Sequence, residues 1–166
     1  MKTIKIPYYT SSLELHVDEA NLKAVVTAKM HQYKPPMGEA ELVRDALAHP
    51  VGTPPLCELA RGKKKITLVT SDHTRAVPSK LTLPILLAEL RKGSPDAEIT
   101  ILIATGLHRP TTEEEQRRMF GDTIVDQERI VVNNAFKDED FVKVCDLPSG
   151  AEFFCNREAV DCDLLL

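Results

Sequence analysis

Tryptophan is absent from this 166-residue chain, and all aromatics together reach only 5%. Aliphatic side chains must therefore build any core. No apolar run approaches the ~20 residues that a membrane-crossing helix needs. The start, Met1-Lys2-Thr3-Ile4-Lys5-Ile6-Pro7, has neither the apolar stretch nor the small-residue cleavage site of a secretory leader. The expected location is cytoplasmic, with no membrane partner. Positive charge is in short supply, because 21 Lys and Arg face 25 Asp and Glu for a formal net charge of −4. Nucleic-acid binding by bulk charge is not expected, since it needs a clustered basic surface. Lys63-Lys64-Lys65 is the only basic run and reads as a solvated strand entry.

Cys57, Cys145, Cys155 and Cys162 form no Cys-x-x-Cys pair. That spacing does not support a zinc ribbon or a thioredoxin-type site. Reduced, buried or half-buried thiols are expected instead. Also missing are Gly-x-Gly-x-x-Gly, Gly-x-x-x-x-Gly-Lys-Ser/Thr and Gly-x-Ser-x-Gly, so dinucleotide, P-loop and serine-hydrolase readings lack support. No His, Cys and Asp cluster has metal-ligand spacing.

What is present is ordinary globular composition, 43% hydrophobic and 28% charged. The length suits one domain over residues 1–166. Residues 3–9 and 12–17 alternate apolar and polar and predict an antiparallel strand pair turning near Thr10-Ser11. Residues 22–28 predict a third strand. Ala40, Val43 and Leu47 share a helical face, and His49-Pro50 ends that helix. Lys65 to Thr70 predicts a strand. Residues 78–92 predict a helix stopped by Gly93, with Pro84 in its first turn or at a kink. Glu98 to Ala104 predicts a strand buried on both faces. Thr111 as N-cap with Glu114 opens the next helix, and Gly121 closes it. Residues 129–133 and 160–166 predict further strands, and Pro148-Ser149-Gly150 a turn. Strand and helix alternation from 65 to 133 implies an α/β fold. The expected architecture is a Rossmann-like, mostly parallel sheet flanked by helices, with a short antiparallel N-terminal strand pair.

Two loops carry the polar chemistry. Thr70-Ser71-Asp72-His73-Thr74-Arg75 follows one predicted strand, and Ala104-Thr105-Gly106-Leu107-His108-Arg109-Pro110 follows another. In a parallel sheet both leave the carboxyl edge, where such folds bind ligands. Neighbouring strands would gather a carboxylate (Asp72), two guanidinium groups (Arg75, Arg109), two imidazoles (His73, His108) and several hydroxyls. Arginine grips a carboxylate through paired bonds, and histidine exchanges protons near neutral pH. Each residue also has a plainer reading. Asp72 suits an N-cap or turn, and Arg75 a weak surface pair with Asp72. His108 suits a satisfied loop histidine, and His73 an exposed or supporting one. His16, His31 and His49 read as structural or solvated. Thr105-Gly106 before a helix start is a weak anion-site signal.

Ser71-Asp72-His73-Thr74-Arg75, Ala104 to Glu114 and Leu147-Pro148-Ser149-Gly150-Ala151-Glu152 together resemble the amino-terminal catalytic domain of the lactate racemase family. These are nickel-pincer-nucleotide-dependent 2-hydroxyacid racemases and epimerases. The resemblance implies a two-domain α/β enzyme whose cofactor takes a hydride from the substrate α-carbon while a histidine removes the hydroxyl proton. On this chain it implies His108 as the proton-transfer residue and Arg75 as the substrate-carboxylate ligand. It places Asp72, His73, Thr74, Thr105, Gly106 and Arg109 near substrate or cofactor. The family's second histidine, cofactor-tethering lysine and nickel-ligand histidine have no match before Leu166. The expectation is therefore an incomplete domain, inactive alone, that meets a carboxyl-terminal half or self-associates through Leu164-Leu165-Leu166. A non-catalytic small-anion-binding module and an inactive remnant are the alternative readings.

Overall fold

The computed structural model describes residues 1–166 apart from the side chain of His31, so the reading of His31 lies outside the described residues. The chain divides into two compact units, Met1–Pro36 and Met37–Leu166.

In the first unit β1 (Lys2–Tyr8) pairs antiparallel with β2 (Ser11–Val17), in a register that sets Ile4 opposite Leu15 and Ile6 opposite Leu13. This is the expected strand pair, with the reversal at Tyr9-Thr10. Alternation puts these apolar residues on one face and Thr3, Lys5, Glu14 and His16 on the other. The third strand expected over 22–28 is not formed. That segment follows a short 3-10 turn at Glu19–Asn21 and pairs with nothing among the described residues. Val25 and Val26 are both exposed there. Apolar alternation alone does not hold an extended segment that finds no ladder partner.

The second unit contains α1 (Glu39–Ala48), α2 (Leu56–Ala60), β3 (Lys65–Ser71), α3 (Ser79–Gly93), β4 (Glu98–Ala104), α4 (Glu113–Phe120), α5 (Asp122–Gln127) and β5 (Arg129–Val132). After these come β6 (Phe141–Asp146), β7 (Glu152–Asn156), α6 (Arg157–Val160) and β8 (Leu164–Leu165). The sheet is parallel throughout, in the order β5-β4-β3-β8. The structure is therefore mixed α/β, with a four-stranded parallel sheet, flanking helices and antiparallel strand pairs.

One face of this sheet holds the core. Ile66, Leu68, Ile99, Ile101 and Ile103 pack with Leu83, Leu87 and Leu90 of α3, Phe120 of α4 and Ile124 of α5. Each such side chain contributes roughly 1.5–3 kcal/mol by leaving water. The opposite face carries Thr67, Thr100 and Arg129 in register. There Thr67 Oγ1 donates to the Glu158 carbonyl of α6, and Arg129 donates to Thr100 and to both oxygens of Glu158.

Several expected boundaries are corrected. Thr112, not Thr111, caps α4, and its capping box uses Glu115 rather than Glu114. Thr111 is buried and bonds His73 instead. The strand expected over 160–166 shrinks to two residues, because Arg157–Val160 winds into a helical turn and the Asp163 side chain bonds the Lys64 and Lys65 amides. Pro84 lies in the second turn of α3, one turn later than the first-turn placement expected, at an exposed position where it has no N–H to give the Lys80 carbonyl. Gly93 ends α3 as expected, but for a packing reason: a Cβ there would lie 2.0 Å from the Cys57 carbonyl of α2. The expectation of buried or half-buried thiols holds for Cys57, Cys155 and Cys162, whereas Cys145 is exposed. The β6–β7 hairpin was not anticipated, although its turn at Pro148-Ser149-Gly150 was.

Candidate active site

Parallel pairing sets Ser71, the last residue of β3, directly opposite Ala104, the last residue of β4. The loops that follow therefore leave the carboxyl edge side by side and at one level. Asp72 and Thr105, the first residue of each loop, are both 2% exposed. In the second loop the His108 amide donates to the Thr105 carbonyl at 3.0 Å. Gly106, at φ 55°, supplies the left-handed residue of this turn, where glycine is least strained. Thr105 Oγ1 anchors the turn by donating to the Asn133 carbonyl, just past β5, at 2.6 Å.

The loops meet at a carboxylate–imidazole pair. His108 Nδ1 lies 2.6 Å from Asp72 Oδ2. Asp72 Oδ1 accepts from the Thr74 amide at 3.0 Å and from Thr74 Oγ1 at 2.6 Å. The Thr74 hydroxyl bond, then the His108 bond and the Thr74 amide, hold the Asp72 carboxyl down at about 2 against the opposing effect of burial. Asp72 is thus ionised at neutral pH and can only accept. Nδ1 of His108 must then carry the hydrogen, which leaves Nε2 as the nitrogen that takes up a proton. The His108 side chain is 50% exposed, whereas that of Asp72 is 2% exposed. The pair therefore has a buried anchor and an accessible working end.

The remaining expected residues divide clearly. His73 has only 10% of its side chain exposed, and its Nδ1 lies 3.0 Å from Thr111 Oγ1 and 3.8 Å from Glu115 Oε2. It ties the first loop to the start of α4. Arg109 donates from Nη1 and Nη2 to the two oxygens of Glu115 at 2.9 and 2.7 Å. That bidentate pair, together with the Thr112 amide, holds the Glu115 carboxyl well below the usual range, and the same pair raises Arg109. Arg75 is exposed, and its amide closes a turn onto the Asp72 carbonyl. Its guanidinium bonds no other side chain among the described residues, so it is not the surface partner of Asp72. Asp72 is both a turn residue and the His108 partner. Glu115 was missed by sequence reasoning. The signal was the second Thr-x-x-Glu in Thr111-Thr112-Glu113-Glu114-Glu115, which fits the capping box one residue later than expected.

Residues 8–166 match the family described as Lactate racemase N-terminal domain. The chain belongs to the lactate racemase N-terminal domain family. It is 43% identical over 166 residues to lactate racemase of Thermoanaerobacterium thermosaccharolyticum, covering 100% of this chain and 39% of that protein. It is 41% identical to lactate racemase of Lactiplantibacillus plantarum with the same coverage. The solved lactate racemase apoprotein from T. thermosaccharolyticum superposes with a TM-score of 0.89 at 41% identity, covering 99% of this chain and 38% of that one. The chain therefore spans about two-fifths of the length of the relatives it matches. No helix in it is long and apolar enough to cross a membrane, among the described residues.

Proposed function

We propose that this chain supplies the proton-transfer side of a 2-hydroxyacid racemase site. The observation that carries the reading is the Asp72–His108 pair, in which Nδ1 is committed to a buried carboxylate and Nε2 is left open. Nε2 of His108 takes the substrate hydroxyl proton and returns it to the same oxygen, while the α-hydrogen would leave and return as a hydride on an acceptor that this chain's residues do not themselves supply. Asp72 fixes the tautomer and stabilises the imidazolium in between, as in any carboxylate-oriented imidazole base. Such a base contributes about 10²–10⁴-fold. Arg75, exposed in the same loop, binds the substrate carboxylate. Thr74 holds Asp72 in place. The protein would work in the cytoplasm on a small hydroxyacid such as lactate.

The family likeness implies a nickel-pincer nucleotide as hydride acceptor. The residues present do not fit its attachment. Among the described residues no three His, Cys, Asp or Glu side chains converge so as to hold a metal ion, and no step here passes through that group.

The test is a chimera. Residues 1–166 replace the matching segment of the T. thermosaccharolyticum lactate racemase, and interconversion of D- and L-lactate is followed. Turnover is expected, and His108→Ala in the chimera should reduce it at least ~100-fold. Near-normal turnover in the variant would remove His108 from the chemistry. Tight lactate binding by the isolated chain, with a silent chimera, would favour the small-anion-binding module.

A further inference from the structure

We infer that Glu115 is a positioning residue for His108, acting through Arg109 to clasp the 105–112 loop against the start of α4. The inference rests on reading His108 as the proton-transfer group, but its geometry stands apart from that reading. The loop is pinned at both ends, with His108 between the pins. At one end Thr105 Oγ1 bonds the Asn133 carbonyl at 2.6 Å. At the other end Arg109 reaches Glu115 with both terminal nitrogens, and Nη1 also donates to the Pro110 carbonyl at 3.0 Å. Only 14% of the Glu115 side chain is exposed, so its carboxylate is a fixed post rather than a solvated surface charge.

The helix cap by itself does not need Arg109. Thr112 and Glu115 complete the capping box through the Thr112 amide at 2.9 Å and the Glu115 amide at 3.3 Å. The bidentate arginine is therefore an addition to the cap, and it is itself the residue next to His108. The His108 ring has Asp72 as its sole side-chain partner among the described residues, so the backbone of the loop decides whether Nδ1 reaches that carboxylate. Glu115 also lies 3.8 Å from His73 Nδ1, and His73 bonds Thr111. One carboxylate thus registers both loops of the site.

The test is long-range ¹H–¹⁵N NMR of the histidine side chains in this chain. Wild type should show His108 as the Nδ1–H tautomer with a protected proton. Glu115→Ala and Arg109→Ala should move both His108 ring nitrogens toward the averaged shifts of a free imidazole, and the Nδ1 proton signal should vanish. Arg109→Lys, which can restore one of the two bonds, should recover part of that signal. An unchanged His108 signature in folded Arg109→Ala overturns the inference, as does loss in Glu115→Ala alone, which would mean that only the helix cap matters. If Glu115→Ala does not fold, Arg109→Ala decides, because it leaves the cap intact. These spectra report the pose of His108 whether or not His108→Ala affects racemisation, so the two readings fail separately.

Discussion

Replacing Asp72 with asparagine removes one charge and changes almost no volume. In the native chain that carboxyl titrates at about 2 instead of the ordinary 3.8. The difference corresponds to about 2 kcal/mol of preference for the ionised form in the folded state. Because the folded value is depressed, this contribution is complete above pH ~4 and is lost as pH falls toward 2. The substituted amide would keep an acceptor for Thr74, but its NH₂ would face His108 Nδ1. That contact forces the imidazole hydrogen onto Nε2, the nitrogen that must be free. The Asp72→Asn variant should therefore be less stable than wild type by about 1–3 kcal/mol at pH 5, with most of that gap closing by pH 2. Urea unfolding followed by circular dichroism at pH 5, 4, 3 and 2 measures it. Other depressed carboxylates, such as Glu158 and Asp163, titrate in both proteins and cancel in the difference. In NMR the His108 hydrogen should move from Nδ1 to Nε2. A stability gap that stays constant from pH 5 to 2, or a tautomer that does not change, would refute the view of Asp72 as an ionised anchor.

Two further predictions concern the substrate grip and the packing beneath it. In the chimeric enzyme Arg75→Ala should raise KM for lactate with a smaller effect on kcat, since it removes carboxylate binding; steady-state kinetics with an unchanged KM would count against that role. Gly93→Ala should destabilise the chain by about 1–3 kcal/mol, because its methyl would meet the Cys57 carbonyl at 2.0 Å. A thermal melt equal to wild type would show that α2 shifts freely away from α3.

The parallel pairing of β3, β4 and β5 was legible because β-branched apolar runs alternate there with helical stretches. Glu98 to Ala104 is the clearest instance, with five successive buried residues. The two loops were legible from their position after such strands. What escaped were elements set by partners rather than by pattern. Residues 22–28 have the composition of a strand but no neighbour. The β6–β7 hairpin is short, carries a register shift between Lys143 and Cys145, and has Phe153 and Phe154 exposed, so its alternation is blurred. At the site, Arg109 and Arg75 look equivalent in sequence. Only the one-residue shift of the α4 cap from Thr111 to Thr112 brings Glu115 to Arg109 and leaves Arg75 open.

The matched tips of β3 and β4 bear on how this fold tolerates change in length. One extra residue within either strand would slide its loop by ~3.3 Å and reverse which side every later side chain points to. Additions ahead of Lys65 or Glu98, before the ladder begins, would leave the meeting of carboxylate and imidazole untouched. Insertions among natural variants should therefore collect at the entrances of these two strands and avoid their exits.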